Sequence, residues 1–350
     1  MGDKAPRAHK VRTFLERKDI VFSAKRYLVD AMDSMALGLF ASLLIGTILS
    51  TVADKLSLAW LKDIASFASQ ATGPSMAVAI GLALKAPPLV LFSLCAVGVG
   101  ANSLGGPLGT LICAVIAAEL GKLVSKETKV DILVTPTVTI VSGLLIARLA
   151  GPGVSAVMTA FGNMIMHATD MHPFFMGIIV SVLVGIALTL PISSAAICAS
   201  FGAAGLIGLA GGAATAGCCA QMVGFAVQSY RENGFSGLIA QGIGTSMLQF
   251  GNILRKPIIW LPTIITSAIL GPLSTTVFKM LNASSSAGMG TSGLVGQFGT
   301  WAVMADQGAA SVIIRMLLIQ IILPALLTWL ISEFMRKKGW IKPEDQKLEL

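Results

Sequence analysis

SFGAAGLIGLAGGAAT at residues 200–215 reads like a copy of AVGVGANSLGGPLGT at 96–110. Each stretch is followed by a charged loop and then by a proline-bearing apolar run. These runs are RKPIIWLPTIITSAILGP at 255–272 and DILVTPTVTIVSGLLIARLAGP at 131–152. Gly105-Gly106 answers to Gly211-Gly212, Pro136 to Pro262, and Gly151-Pro152 to Gly271-Pro272. Such runs match a bilayer span, which needs about 20 apolar residues. Duplicated helical units broken by glycine and proline are the build of polytopic carriers, which hold a polar solute where the repeats meet. The reading that follows is an all-α polytopic membrane protein with an internal duplication.

The composition agrees. Of 350 residues, 55% are hydrophobic and 12% charged, whereas a soluble domain carries about 25% charged residues to cover its surface. The net charge of +8 lies mainly at the ends, with Lys4, Arg7, Lys10, Arg12, Arg17 and Lys18 before the first apolar run. Arg336, Lys337, Lys338, Lys342 and Lys347 follow the last one. Lysine and arginine gather on the cytoplasmic side of spans, so both termini are expected there. Basic residues that flank spans form no separate basic domain, which argues against a nucleic-acid partner. The polar first thirty residues are too long for a signal-peptide n-region. Cys95, Cys113, Cys198, Cys218 and Cys219 lie in apolar stretches without metal or redox spacing and read as small buried hydrophobes.

The expected layout has three parts: a cytoplasmic amphipathic N-terminal helix at 1–33, one transport domain at 34–335, and a cytoplasmic tail at 336–350. The domain holds about ten transmembrane helices, with repeat one at 64–152 and repeat two at 173–272. The first span is 34–53, and 64–84, 132–150, 173–192, 194–210, 213–229, 257–277 and 309–334 follow. Residues 88–121 form a pair of short runs around a break at Asn102–Gly106, answered by a break at Leu209–Gly212. Residues 153–170 read as a re-entrant or interfacial segment. A Gly/Ser-rich break occupies 282–300. With cations before both proline-bearing runs on the cytoplasmic side, the repeats come out parallel; a full span at 153–170 would invert them.

Four groups of residues are candidates for contact with a solute. Asn163, His167 and Asp170 keep helical spacing, and His172 follows; an imidazole beside a carboxylate accepts a hydroxyl proton or relays one. The alternative is a wet loop that ends a helix. In NASSSAGMGTSGLVGQFG, the residues Thr291, Ser292 and Gln297 suit a polyol, because non-helical backbone at membrane depth persists only inside protein or beside water. The alternative is a surface loop. Asn102, Glu119 and Gln221 sit at or after the paired glycine breaks, which close helix packing explains almost as well. Gln241, Thr245, Gln249 and Asn252 form a polar stripe for a cavity wall or an interfacial helix. No metal or cofactor is called for.

A set of short motifs adds a family likeness: Phe14–Ile20, Lys25-Arg-Tyr27, Ala36–Phe40, Pro191-Ile-Ser-Ser194, Gly217–Met222 and Gly288–Gly293. With these the chain resembles the IIC component of the bacterial phosphotransferase system, in the branch that includes proteins labelled perfringolysin regulators. The resemblance implies a dimeric carrier of a sugar or related polar solute in the plasma membrane. It also implies separate cytoplasmic IIB and IIA proteins that phosphorylate the solute, with no phosphotransfer residue on this chain. The histidine and carboxylate motifs of better-known IIC families are absent, so His167 and Asp170 rest on their chemistry alone. A proton-coupled secondary transporter and a membrane solute sensor are the alternatives.

Overall fold

The computed structural model describes residues 7–169, 171–192, 194–199 and 206–348. Among them every regular element is helical, apart from one isolated bridge between Gly208 and Asn282. In chain order the helices are α1 (Arg7–Arg17), α2 (Lys25–Asp54), α3 (Ala59–Gln70), α4 (Thr72–Ala83), α5 (Pro88–Val124) and α6 (Asp131–Thr169). They continue with α7 (Pro173–Thr189), α8 (Ser194–Ala199), α9 (Gly208–Gln228), α10 (Tyr230–Ile239) and α11 (Phe250–Arg255). The last are α12 (Pro257–Val277), α13 (Ser284–Ala287), α14 (Val295–Met304) and α15 (Ala309–Lys337). Among the described residues, six stretches are long and apolar enough to cross a bilayer: α2, α5, residues 131–154 of α6, α9, α12 and α15. Five single turns among the described residues are π-helical, at Lys25–Asp30, Phe40–Leu44, Ala240–Gly244, Leu273–Val277 and Leu318–Ile322.

The helices differ from the sequence expectation in four places. The N-terminal stretch expected as one amphipathic helix over 1–33 holds two helices among its described residues, because Asp19 takes a positive φ of 52° after α1 and the chain restarts into α2. The expected span 64–84 is divided at Ala71 between α3 and α4. Residues 153–169 extend α6 as helix through Pro152, so the re-entrant alternative for this segment falls away and the interfacial one is left. The expected span 194–210 holds only the six-residue α8 among its described residues, with 200–205 outside them.

Two compact units divide the chain, residues 1–41 with 70–154 and residues 42–69 with 155–350. In the first unit, α4 lies on α5 through two facing glycines. A Cβ on Gly73 would meet the Gly98 carbonyl oxygen at 2.2 Å, and one on Gly98 would meet that of Gly73 at 2.3 Å. Lipid tails give helices no hydrophobic reason to associate, so close backbone approach at small residues supplies the packing.

The expected break at Asn102–Gly106 is present: Gly106 has φ 58° and ψ −154°, a region essentially reserved for glycine, and it kinks α5 before Pro107. Among the described residues no packing neighbour comes within 4 Å of where a Gly106 Cβ would stand. Gly106→Ala should therefore lower stability by about 1–3 kcal/mol through backbone strain alone. Gly105→Ala, which meets Val154 only at 3.5 Å, should change it little. Thermal denaturation of the two variants in detergent checks this, and equal melting temperatures would refute it. The expected partner break at Leu209–Gly212 is not one: these residues are helical, within α9, after Gly208 turns the chain at φ 63°. The backbone that matches Gly106 is Gly234 in α10, at φ 58° and ψ −155°.

The ends of the first unit are tied by charge. Arg26 donates to Asp19 at 2.6 Å, Arg17 and Lys18 meet Glu127 at 2.7 and 2.6 Å, and Lys18 also donates to the Ser125 carbonyl. The Arg26 hydrogen bond holds the Asp19 carboxyl below its usual range although burial opposes it. Hydrogen bonding from Lys18, with the charge of Arg17, does the same for Glu127. A depressed carboxylate contributes stability above its ordinary pKa of about 4, and loses it as pH falls through the lower folded value. Wild-type thermal stability should thus fall more between pH 5 and pH 3 than that of Asp19→Asn or Glu127→Gln. Parallel pH profiles would show that these pairs hold nothing.

Candidate functional site

In the second unit α9 is the central element; nearly all of its side chains are buried. Its glycines let neighbours approach to backbone distance. A Cβ on Gly217 would meet the Ser181 carbonyl of α7 at 1.9 Å, and one on Gly212 would meet the Met280 carbonyl at 2.0 Å. The irregular chain at 278–283 therefore lies directly on α9, joined to it by paired hydrogen bonds between Gly208 and Asn282 of 3.1 and 3.2 Å.

From there the segment 282–300 runs inside the unit as a short helix, a glycine turn and α14. It is buried over most of its length and is no surface loop. Asn282 organises it: its Nδ2 donates to Thr215 Oγ1 at 2.6 Å and to the Gly296 carbonyl at 3.1 Å. Its Oδ1 accepts from Ser286 Oγ at 2.7 Å and from the Ala283 N–H at 2.8 Å. Every polar atom of that amide is used. Thr291 donates to the Gly242 carbonyl in the π turn after α10, so two irregular stretches meet there.

Two buried atoms in this segment have no partner among the described residues, Ser292 Oγ and Gln297 Oε1. Ser292 is 2% exposed and Gln297 9%. Gln297 Nε2 donates to Gln320 Oε1 at 3.1 Å, and Gln320 Nε2 to Thr300 Oγ1 at 2.9 Å, which fixes the Gln297 amide. A buried acceptor without a donor costs about 1–3 kcal/mol. A solute hydroxyl that supplies the donor removes that cost. The groups bonded around these atoms are amides and hydroxyls, which recognise neutral hydroxylated molecules.

The other sequence candidates fall elsewhere. Gln221 is fully buried but saturated: its Oε1 accepts from Trp260 Nε1 and Thr263 Oγ1 at 2.9 Å and from Thr189 Oγ1 at 3.3 Å. Asn102 and Glu119 lie in the first unit, Asn102 half-buried and Glu119 paired with Lys122 at 3.1 Å. Asn163 and His167 are exposed on α6; exposed His172 accepts the Phe174 N–H and caps α7. Asp170 lies outside the described residues. No group of three or more His, Cys, Asp or Glu suited to a metal occurs among the described residues.

Several partners escaped the sequence reading. Gln320 could have been found, since an amide inside the apolar run of α15 is costly there and marks an interior face. The role of residues 341–348 had no such signal. This stretch folds back on the second unit, and Asn233 Nδ2 and Gln249 Nε2 donate to the Gln346 carbonyl at 2.8 and 2.9 Å. Asn252 Nδ2 donates to the Lys347 carbonyl at 2.8 Å. The polar stripe 241–252 thus faces protein on this side, with Gln249 Nε2 also donating to Gln241 Oε1 at 3.0 Å.

No curated protein and no solved structure matches the chain. A family model does, the one described as phosphotransferase system, EIIC, over residues 29–348 of 350. That span takes in every candidate transmembrane helix except the first few residues of α2, together with both buried irregular stretches. The chain belongs to the EIIC family and is a multi-pass membrane component of the sugar-transporting phosphotransferase system.

Proposed function

We propose that this chain is the solute-binding and translocating subunit for a neutral sugar or polyol, with Ser292 and Gln297 as the principal contacts. Thr291 and Gln320 orient them. The observation that carries the reading is the pair of buried, unpartnered oxygens in a glycine-rich segment held fixed on both sides. Separate cytoplasmic IIB and IIA proteins supply the phosphoryl group, and the chain works as a homodimer in the bacterial plasma membrane. Both termini face the cytoplasm, in keeping with the lysines and arginines that flank the spans.

The experiment is transport in vesicles that contain the purified protein. Uptake is expected to require phosphoenolpyruvate and the soluble phosphotransfer proteins, and to deliver phosphorylated solute. Counterflow of unmodified solute without those proteins would instead identify a secondary carrier, and binding without flux a sensor.

A further inference from the structure

The ends of three helices in the first unit surround a cleft of about 390 Å³. Arg17 and Lys18 come from the end of α1, Lys85 from the turn after α4, and Lys122 and Lys126 from the end of α5 and its loop. Two carboxylates, Asp19 and Glu127, share the lining with these five cations.

Cations at helix C-termini have an ordinary purpose, which is to bond the last carbonyls and offset the helix dipole. Here that need is already met. Lys122 Nζ donates to the Asp19 carbonyl at 2.7 Å and to the Leu84 carbonyl at 2.9 Å. Arg26 also donates to Leu84, and Lys18 to the Ser125 carbonyl. Arg17 and Lys18 share the Glu127 carboxylate, and Arg26 holds Asp19. Lys85 and Lys126 are left over; neither enters an ion pair among the described residues.

Both surplus lysines also stand where lysine is disfavoured. Lys85 has φ 54° and Lys126 φ 60°, and Asp19, which shares the lining, has φ 52°. These are three of the seven non-glycine residues with positive φ among the described residues, the region that glycine and asparagine adopt most readily. Asp19 and Lys85 close the C-terminal turns of α1 and α4, where the Ile20 N–H bonds the Leu15 carbonyl and the Ala86 N–H that of Gly81; glycine usually holds that place, and here a charged side chain stands at the cleft instead.

We propose that this cleft binds a phosphate group, with Lys85 and Lys126 as its main partners and Arg17 and Lys18 as further donors. The two sources of that chemistry are a free phosphate or phosphorylated solute and the headgroup of an anionic phospholipid. The site is separate from Ser292 and Gln297 and stands without that assignment.

The test uses the full-length protein. Inorganic phosphate, added in neutral detergent at ionic strength matched with sodium chloride, should raise the melting temperature in a saturable manner. In a second arm, native mass spectrometry of protein from nanodiscs of equimolar phosphatidylcholine and phosphatidylglycerol reads which lipid is retained. Lys85→Gly with Lys126→Gly removes both charges at backbone angles that glycine adopts freely, so folding is kept. This pair should weaken phosphate binding at least tenfold, or abolish the preference for phosphatidylglycerol. Lys85→Arg with Lys126→Arg should stay within threefold of wild type, and Glu127→Gln, which frees Arg17 and Lys18, should bind severalfold tighter. A saturable phosphate response lost in the glycine pair assigns the free anion. Loss of lipid preference alone assigns the headgroup. Equal behaviour of wild type and the glycine pair with both probes overturns the proposal.

Discussion

Gly217→Ala is expected to leave little folded protein. Its Cβ would stand 1.9 Å from the Ser181 carbonyl oxygen, 2.5 Å from the carbonyl carbon and 2.7 Å from the Cα. All three atoms are backbone, so no side-chain rotation relieves the clash, and α7 and α9 must separate along their contact. Ser181 is tied on its other side as well, with its hydroxyl donating to the Ser267 carbonyl of α12 at 2.7 Å. Separation would therefore disturb three helices at once. Overpacking a tight core costs about 1–3 kcal/mol where side chains can yield, and more where they cannot. Against a total stability of roughly 5–15 kcal/mol, such a loss is severe. Gly153→Ala is the control, since no packing neighbour among the described residues comes within 4 Å of its Cβ, and it should be neutral or slightly stabilising. Size-exclusion yield and melting temperature in detergent measure both variants. Equal values for the two would mean that the α7–α9 contact is looser than described.

Ser292→Ala and Gln297→Leu are expected to separate function from stability. A buried hydroxyl or amide oxygen that bonds to nothing in the protein contributes no stability, and replacing it with an apolar group of similar size is nearly neutral or stabilising. The melting temperature without solute should thus hold or rise for Ser292→Ala, whereas Gln297→Leu also gives up the Nε2 bonds to Gln320 and Cys219 and should lower it by the cost of the stranded Gln320 oxygen, about 1–3 kcal/mol. Solute binding should fall about tenfold for each variant and roughly a hundredfold for the pair, the scale of one unmade hydrogen bond apiece. A thermal-shift screen against neutral sugars, polyols, sugar acids, carboxylates and nucleosides reads both effects in one experiment. Retained binding in these variants, with loss in His167→Ala or Asp170→Asn, would move the site to residues 163–172.

How much of this was legible beforehand depends on the kind of signal. The membrane class followed from composition, because a bilayer imposes its demand on every exposed residue of a span. The kink at Gly106 was legible as well, since Gly-Gly-Pro leaves a helix few ways to continue. Gly211-Gly212 looked like its counterpart, but glycine serves two ends: it permits unusual angles, and it admits a neighbouring backbone. Only coordinates separate them, and here the pair serves the second end beneath Met280 and Asn282. Within the segment 282–300, the sequence singled out Thr291, Ser292 and Gln297. It had no means to find which of their atoms were already occupied. Asn282 and Gln221 are as polar and as buried as Gln297, and both are spent on protein partners.

The five π turns carry a consequence for any comparison of this chain with its relatives. A π turn holds one residue more than the α turn it replaces, so loss of that residue returns the helix to ordinary winding. The flanking turns keep their faces, and only the residues within the former π turn are re-aimed. At Leu318–Ile322 such a change would swing Gln320 away from Gln297 while leaving the rest of α15 apolar and plausible. Single-residue gaps inside helices are therefore to be expected among relatives. Where one falls within 318–322, the relative has lost the support of Gln297 and is expected to accept a different set of solutes, whatever residues stand at 292 and 297.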